Sequence, residues 1–215
     1  MLCPIATIRI SWSTFSRPRR RNRLNPQLRL ERVGESSVLL ERRFDRDGTH
    51  RFAYLSGLSA LGLKDGAESY SAELCDALRM LSAAPKEDLE ELFGRIVLSI
   101  AVHNTDDHLR NHGLLRTVAG WRLSPLFDVN PNPYLEEGRA LPIFGEVGGG
   151  EVEGLSELGF SLGFNRRAQA RIVARVTGAF AYWKSAARRL KCKEREISMF
   201  APVIGDRLEA LSALR

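Results

Sequence analysis

The sequence predicts an α+β domain that is mainly α, with two small hairpins and a helical tail. Three observations carry this expectation. Leu89, Leu92, Phe93, Ile96, Val97 and Ile100 recur every three or four residues, the spacing of an apolar stripe on a buried helix. Residues 28–44 and 113–123 each read as two short strands around a turn. Two further amphipathic runs, through Ile172 and Val176 and through Ile197, Phe200, Ile204, Leu208 and Leu211, close the chain.

Taken in order, residues 1–26 show no persistent period, and Arg17-Pro18-Arg19-Arg20-Arg21-Asn22-Arg23 repels itself. They read as a basic, disordered arm, and 27–215 as the folded domain. Leu28 to Val33 alternates, Gly34-Glu35 supplies a turn, and Ser37 to Phe44 forms the return strand, leaving through Asp45-Arg46-Asp47-Gly48. Tyr54 to Leu63, apolar but with glycines at 57 and 62, reads as loop plus a short helical turn. Ser69 or Ser71 is placed to cap a helix running to about Ser82, with Leu74, Leu78 and Leu81 on one face. Pro85 and the acids Glu87, Asp88, Glu90 and Glu91 open the clearest helix, where they suit the positive end of its dipole. Its far end delivers His103 and Asn104.

The second hairpin uses Gly113 to Arg116, a Val118-Ala119-Gly120 turn and Trp121 to Leu123. Leu135 to Gly154 is a long irregular stretch containing Gly148-Gly149-Gly150. It is no Walker loop, because no Lys-Ser/Thr follows, and it reads equally as an activation-like segment or a plain surface loop. A short helix is expected near Leu155 to Leu162. Asn165 then caps a long helix with Ile172, Val176, Phe180 and Trp183 on one side, and the last helix is disturbed at Pro202.

Composition adds bounds. The 215 residues suffice for one domain with a substantial core, and 44% apolar with 27% charged content is ordinary for a globular protein. The net charge of +6 is local: residues 1–33 hold eight arginines against Glu31, while the remainder carries 24 basic and 25 acidic residues. No aromatic residue interleaves the arginines of the run Arg17 to Arg23, so a nucleic-acid contact there has little support. The basic run from Lys184 to Arg195 reads as a solvated face. Cys3, Cys75 and Cys192 are scattered and supply neither a disulfide framework nor a CxxC metal site, which fits a reducing cytoplasm. No apolar run approaches the roughly 20 residues needed to span a bilayer.

The chemistry concentrates in His103-Asn104-Thr105-Asp106-Asp107-His108-Leu109-Arg110-Asn111-His112, just after the apolar run Ile96 to Val102. Asp106 and Asn111 lie five residues apart, and Asp128 follows the second hairpin in Pro125-Leu126-Phe127-Asp128-Val129-Asn130-Pro131. Phosphoryl transfer needs a carboxylate beside the attacking hydroxyl and oxygen ligands that hold Mg²⁺ against the phosphates. Acid, amide at plus five, and a second acid after a hairpin is the layout of kinase-like phosphotransferases. Two blander readings stand beside it. The acids are ordinary loop carboxylates, or His103, His108 and His112 form a transition-metal site, which would leave Asp128 unexplained.

The longer string is more specific. Asn104-Thr105-Asp106, His108 and Asn111, followed by Trp121-Arg122-Leu123-Ser124-Pro125 and Phe127-Asp128-Val129-Asn130-Pro131, resembles the C-terminal domain of HipA-type toxin kinases. Val38-Leu39-Leu40, Arg43-Phe44-Asp45-Arg46, Tyr54-Leu55-Ser56 and Leu61-Gly62 are similar to that family's adenine-side strand and following segment, so the likeness runs from about Pro26 to the end. The resemblance implies a kinase-like C-terminal lobe and an ATP- and Mg²⁺-dependent Ser/Thr protein kinase of a toxin–antitoxin system. It further implies a small helix-turn-helix antitoxin as partner, DNA reached only through that antitoxin, and a translation factor such as an aminoacyl-tRNA synthetase as substrate. By position, Asp106 would be the catalytic base, His108 would lie near the nucleotide phosphates, and Asn111 and Asp128 would ligate Mg²⁺. Phe44, through its backbone, and Asp45, through its side chain, would face adenine and ribose. Arg42 stands where the family more often has an acid.

One departure matters. The family also carries a Gly-rich phosphate loop and an ATP-binding lysine in an N-terminal subdomain, whereas nothing in residues 1–26 resembles either and the first lysine is Lys64. The expectation is therefore a truncated kinase of reduced activity, with residues 1–25 a non-native reading. The alternatives are a non-catalytic remnant that binds an antitoxin or DNA, and a metal-dependent phosphohydrolase using the same acids.

Overall fold

The computed structural model describes residues 28–34, 36–144 and 150–215; the expectations placed on residues 1–26 and on 145–149 lie outside these. Strands β1 (Leu28–Val33) and β2 (Ser36–Glu41) pair antiparallel with Leu30 opposite Leu39, as their alternation predicts. The return strand stops at Glu41 rather than Phe44. Residues beyond it fold into a second, very short hairpin, β3 (Arg46–Asp47) with β4 (His50–Arg51), turned by Gly48 at φ 60°. A left-handed turn residue without a Cβ makes that reversal cheap.

Tyr54 to Ser56, expected to be loop, is strand β5. It pairs antiparallel with β6 (Gly113–Thr117), which pairs with β7 (Gly120–Leu123), so the expected hairpin becomes a three-stranded sheet. A Cβ at position 113 would run into the Tyr54 phenol and the Leu55 carbonyl, so glycine is what lets β5 approach β6 there. A four-residue helix, α1 (Gly57–Ala60), follows directly, its first turn closed by the Ser56 hydroxyl accepting from the Ser59 amide at 3.1 Å.

Helix α2 (Ser71–Leu81) buries Leu74 and Leu78 as expected, but its cap position falls on Tyr70, between the two predicted serines. The Tyr70 amide donates to the Glu73 carboxylate at 2.9 Å, a closure supplied from inside the helix. Helix α3 (Pro85–Ala101) matches its expected span and packs against α2, β7, α4 (Glu151–Ser161), α5 (Arg166–Gly178) and α7 (Glu194–Ser212). The predicted stripe is fully buried, and so are Gly94, Arg95, Leu98 and Ser99 on the other sides. With neighbours all round it, α3 is the central post of the domain. Truncating Leu92 or Phe93, each at 0% exposure, should cost about 2–5 kcal/mol.

Helix α4 begins at Glu151, four residues earlier than the apolar pattern suggested, with Glu151 and Glu153 in its first turn. Asn165 caps α5 as predicted, its Oδ1 accepting from the Ala168 amide at 2.9 Å. The long helix expected beyond it breaks into a 3₁₀ turn (Ala179–Tyr182) and α6 (Trp183–Arg189), while Phe180 and Trp183 stay buried. Helix α7 continues through Pro202, which has no N–H to give the Ser198 carbonyl. The fold is α+β and mainly α. Among the described residues no helix is long and apolar enough to cross a membrane.

Candidate functional site

Two polar residues along α3, and His103 just beyond its end, fix where the site's loops run. At its start Asp88, fully buried, accepts from the Ser82 hydroxyl (2.6 Å), the Arg122 guanidinium (3.0 Å from both Nε and Nη2) and the Leu123 amide (2.9 Å). This acid, read from sequence as a dipole partner, is in fact the anchor of β7. Midway, Arg95 Nη2 donates to the Ser124 carbonyl at 2.7 Å, catching the chain as it leaves the sheet. At its end the chain turns at His103, left-handed at φ 51°, and enters the polar cluster.

Within that cluster the two neighbouring acids have opposite fates. Asp107 is buried, and three donors converge on its carboxylate: Ser99 Oγ at 2.6 Å, His112 Nε2 at 2.7 Å and Arg139 Nη2 at 2.7 Å. Burial alone would raise its pKa, but the charge and hydrogen bond of His112, then Arg139 and Ser99, hold it well below the usual carboxylate range. Asp106 is exposed, its side chain at 61%, with His108 Nε2 3.7 Å away. Its backbone is nonetheless held, because Asn111 Nδ2 donates to the Asp106 carbonyl at 3.0 Å. The structure thus brings Asp106, His108 and Asn111 together, as their spacing suggested.

Asp128 stands in a segment whose later residues, Asn130 and Asn132, bond to the entry of the same loop. It is exposed and left-handed, φ 53°, a conformation uncommon outside glycine but adopted more readily by aspartate than by most residues. The contacts that hold its segment flank it. Arg95 holds Ser124 before it; after it the Asn130 amide donates to Asn104 Oδ1 (3.3 Å) and the Asn132 amide to the His103 carbonyl (3.1 Å). Asn130 Nδ2 also donates to the Asp128 carboxylate at 3.2 Å. Phe127, the residue before, meets Phe44 at 5.4 Å and Tyr54 at 6.2 Å between ring centroids, so the adenine-side candidate Phe44 adjoins the Asp128 segment. The Tyr54 hydroxyl donates to the His112 carbonyl at 3.2 Å, and burial pushes its pKa up to about 12. Asp45 is gripped by Arg43 through two bonds of 2.8 and 2.6 Å, and that pairing, working against partial burial, lowers its pKa.

The three histidines do not converge. His103 accepts from Arg207 on Nδ1 (3.1 Å) and donates from Nε2 to the Tyr134 carbonyl (2.9 Å), whereas His112 binds Asp107 and His108 lies by Asp106. Among the described residues no three His, Cys, Asp or Glu side chains are grouped to hold a metal ion. The donor set at Asn111 and Asp128 is different in kind. Asn111 has its amide nitrogen committed to Asp106, so the carboxamide oxygen is the atom it can offer a cation, and Asp128 offers an exposed carboxylate. One carboxylate and one amide oxygen suit Mg²⁺, which takes few protein ligands and completes its shell with phosphates and water.

Sequence reasoning missed Asp107, Arg139 and Asn130. Asp107 was hidden beside its exposed twin, and Arg139 lies in an aperiodic stretch 32 residues downstream with no local signal. Asn130 was named only as part of the string Phe127 to Pro131, with no role of its own.

No curated protein matches the chain. Among solved structures, HipA in the HipA, HipB and operator DNA complex of the Shewanella oneidensis MR-1 toxin–antitoxin system matches with a TM-score of 0.71 at 18% identity. The match covers 99% of this chain and 55% of that one, so this chain spans about half the length of its structural relative. At that identity the likeness speaks for the fold alone. The family assignment comes from the sequence: the HipA-like C-terminal domain model matches residues 23–196, which include every loop described above, and the chain belongs to that family.

Proposed function

We propose that this domain is the ATP- and Mg²⁺-binding lobe of a HipA-type Ser/Thr protein kinase in a toxin–antitoxin system. The observation that carries the reading is Asp128. An exposed acid held left-handed, clamped on both sides to α3 and to the loop that presents Asp106, keeps its carboxylate open to solvent and to a ligand. In the proposed role Asp106 accepts the proton of the attacking hydroxyl, and the Asn111 carboxamide and Asp128 carboxylate bind the cation. When bound, Mg²⁺ would neutralise charge on the transferred phosphoryl group. His108, whose Nε2 lies 3.7 Å from the Asp106 carboxylate on a partly exposed ring, would serve a phosphate oxygen there. Phe44 and Asp45 would lie on the adenine and ribose side.

The partner proposed is a helix-turn-helix antitoxin, which would bring DNA only indirectly; the substrate class is a translation protein such as an aminoacyl-tRNA synthetase. The test is ATP titration with and without Mg²⁺, together with ADP formation. Mg²⁺-dependent binding abolished in Asp128→Ala, with transfer lost but binding kept in Asp106→Asn, supports the kinase. Tight Mg·ATP binding without transfer supports a non-catalytic remnant instead. Phosphate release from simple esters without ATP points to a phosphohydrolase.

A further inference from the structure

The clearest machinery left without a role is the largely buried ionic chain that runs from Asp107 through Arg139 and Glu151 to Arg207. Arg139, with its side chain 3% exposed, donates Nη2 to Asp107 at 2.7 Å and places Nη1 3.6 Å from Glu151. Glu151 accepts from Arg207 of α7 at 3.2 Å, and Arg207 donates to His103 at the loop's entry. The chain therefore begins at Asp107, next to the proposed base, and returns to the same loop four residues earlier. Beside Arg139, the Ala140 amide donates to the Thr105 carbonyl at 2.9 Å, and Asn132 Nδ2 donates to the Thr105 hydroxyl at 2.8 Å.

We infer that Arg139 is a positioning residue: it locks the segment following Asp128 onto the loop 103–112 and so fixes where the Asp106 carboxylate projects. Two physical points support this. First, a buried ion pair is seldom the most stable filling for its space; apolar side chains of similar volume usually do as well or better. A guanidinium with Nε and Nη1 buried and lacking hydrogen-bond partners is a poor choice for stability alone. Second, the Asp106 side chain is 61% exposed, so its direction is set chiefly by its backbone. That backbone has two supports, Asn111 on the Asp106 carbonyl and the Arg139-bound carboxylate of the next residue. Arg139 supplies one of them from a segment distant in sequence.

The catalytic half of this inference rests on the proposed kinase reading; the structural half does not. The test uses the full chain with Arg139→Met and Arg139→Lys, reading amide hydrogen exchange together with Mg·ATP turnover to ADP. In Arg139→Met the amides of 103–112 and 134–142 should exchange faster together, while those of α3 stay protected. Turnover should fall on the order of 100-fold in kcat, the scale set by an ångström of misplacement, with the KM for ATP within about threefold. Arg139→Lys, which keeps the charge but not the fork, should restore part of both. Unchanged exchange in the two segments, or a loss seen in KM with kcat intact, overturns the inference. So does a kcat loss no larger than the fraction of unfolded chain. Should Arg139→Met not fold, Arg139→Lys alone decides by the same two readouts. If the unmodified chain forms no ADP, the kinase reading fails, and exchange still decides whether Arg139 locks the loop.

Discussion

The two ends of α3 solve the same problem differently. Each buries a carboxylate that accepts from a serine hydroxyl and an arginine: Asp88 from Ser82 and Arg122, Asp107 from Ser99 and Arg139. At the first end the arginine comes from the adjacent hairpin, remains 18% exposed and has a second acid, Glu87, at 2.9 Å. The helix N-terminus also favours a negative charge there. At the second end Arg139 is 3% exposed and His112 5%, and the acid sits beyond the helix's negative end, so its compensation comes entirely from side chains. The first is a peg for the sheet. The second is tighter, more remote in sequence, and placed next to the candidate base.

The comparison ranks the expected losses. Asp107→Ala should be the worst substitution in the site region, destabilising by about 3–5 kcal/mol because it strands a buried guanidinium and a buried imidazole. Asp88→Ala should cost less, about 2–3 kcal/mol, because Arg122 keeps both solvent and Glu87. Urea midpoints measure both. The ordering would be broken by an Asp88 variant that unfolds more readily than the Asp107 variant. The two should also differ in kind. Below its melting temperature Asp88→Ala should bind Mg·ATP about as the parent does, whereas Asp107→Asn should bind or turn it over less well even where it remains folded.

Acid sharpens the same contrast. The Asp107 carboxylate titrates well below the usual range when folded and near about 3.9 when unfolded, so the unfolded chain takes up the proton first. The stability this acid contributes is complete above about pH 4 and is lost as pH falls towards the folded value. Urea midpoints between pH 5 and pH 2 should therefore decline less steeply in Asp107→Asn than in the parent. Equal slopes would show that Asp107 is not held ionised by its three donors.

The part of this arrangement that could be read in the sequence is the part with a period. Helix α3 was legible because a drift of ~20° per heptad does not blur six apolar residues, Leu89 to Ile100, over about three turns. The contact of Asn111 with Asp106 was legible because a five-residue spacing between amide and acid is itself a pattern. Strand β5 was not, since three residues cannot display an alternation and their partners, Gly113 to Leu115, lie nearly sixty positions away. The split after Gly178 escaped because Phe180 and Trp183 continue the apolar face across the 3₁₀ turn. Asp88 and Asp107 escaped for a third reason. An aspartate at a helix start or in a polar loop has an adequate local explanation, and nothing local reports that an arginine from 34 or 32 residues away will close over it.

His103 should give the smallest effect and the most specific one. Burial first, and then the facing Arg207 guanidinium, lower its pKa from the ordinary 6.5, with Arg139 acting in the same direction and Glu151 and the bond to Tyr134 opposing. Arg207 donates to Nδ1, so the neutral ring carries its proton on Nε2; a second proton would sit on Nδ1 against the guanidinium. The unfolded chain binds that proton near pH 6.5 and the folded chain only at lower pH. Stability should thus be complete above about pH 7 and decline as pH falls through 6.5 towards the folded value, a window separate from that of Asp107. His103→Asn keeps a residue that tolerates the left-handed backbone while removing the ring, and should flatten the pH 7 to 5 portion of the profile at a cost of about 1 kcal/mol. A ring titrating at or above 6.5 by NMR, or an unaltered profile in His103→Asn, would detach α7 from the ionic chain and leave Asp107 and Arg139 to hold the loop without it.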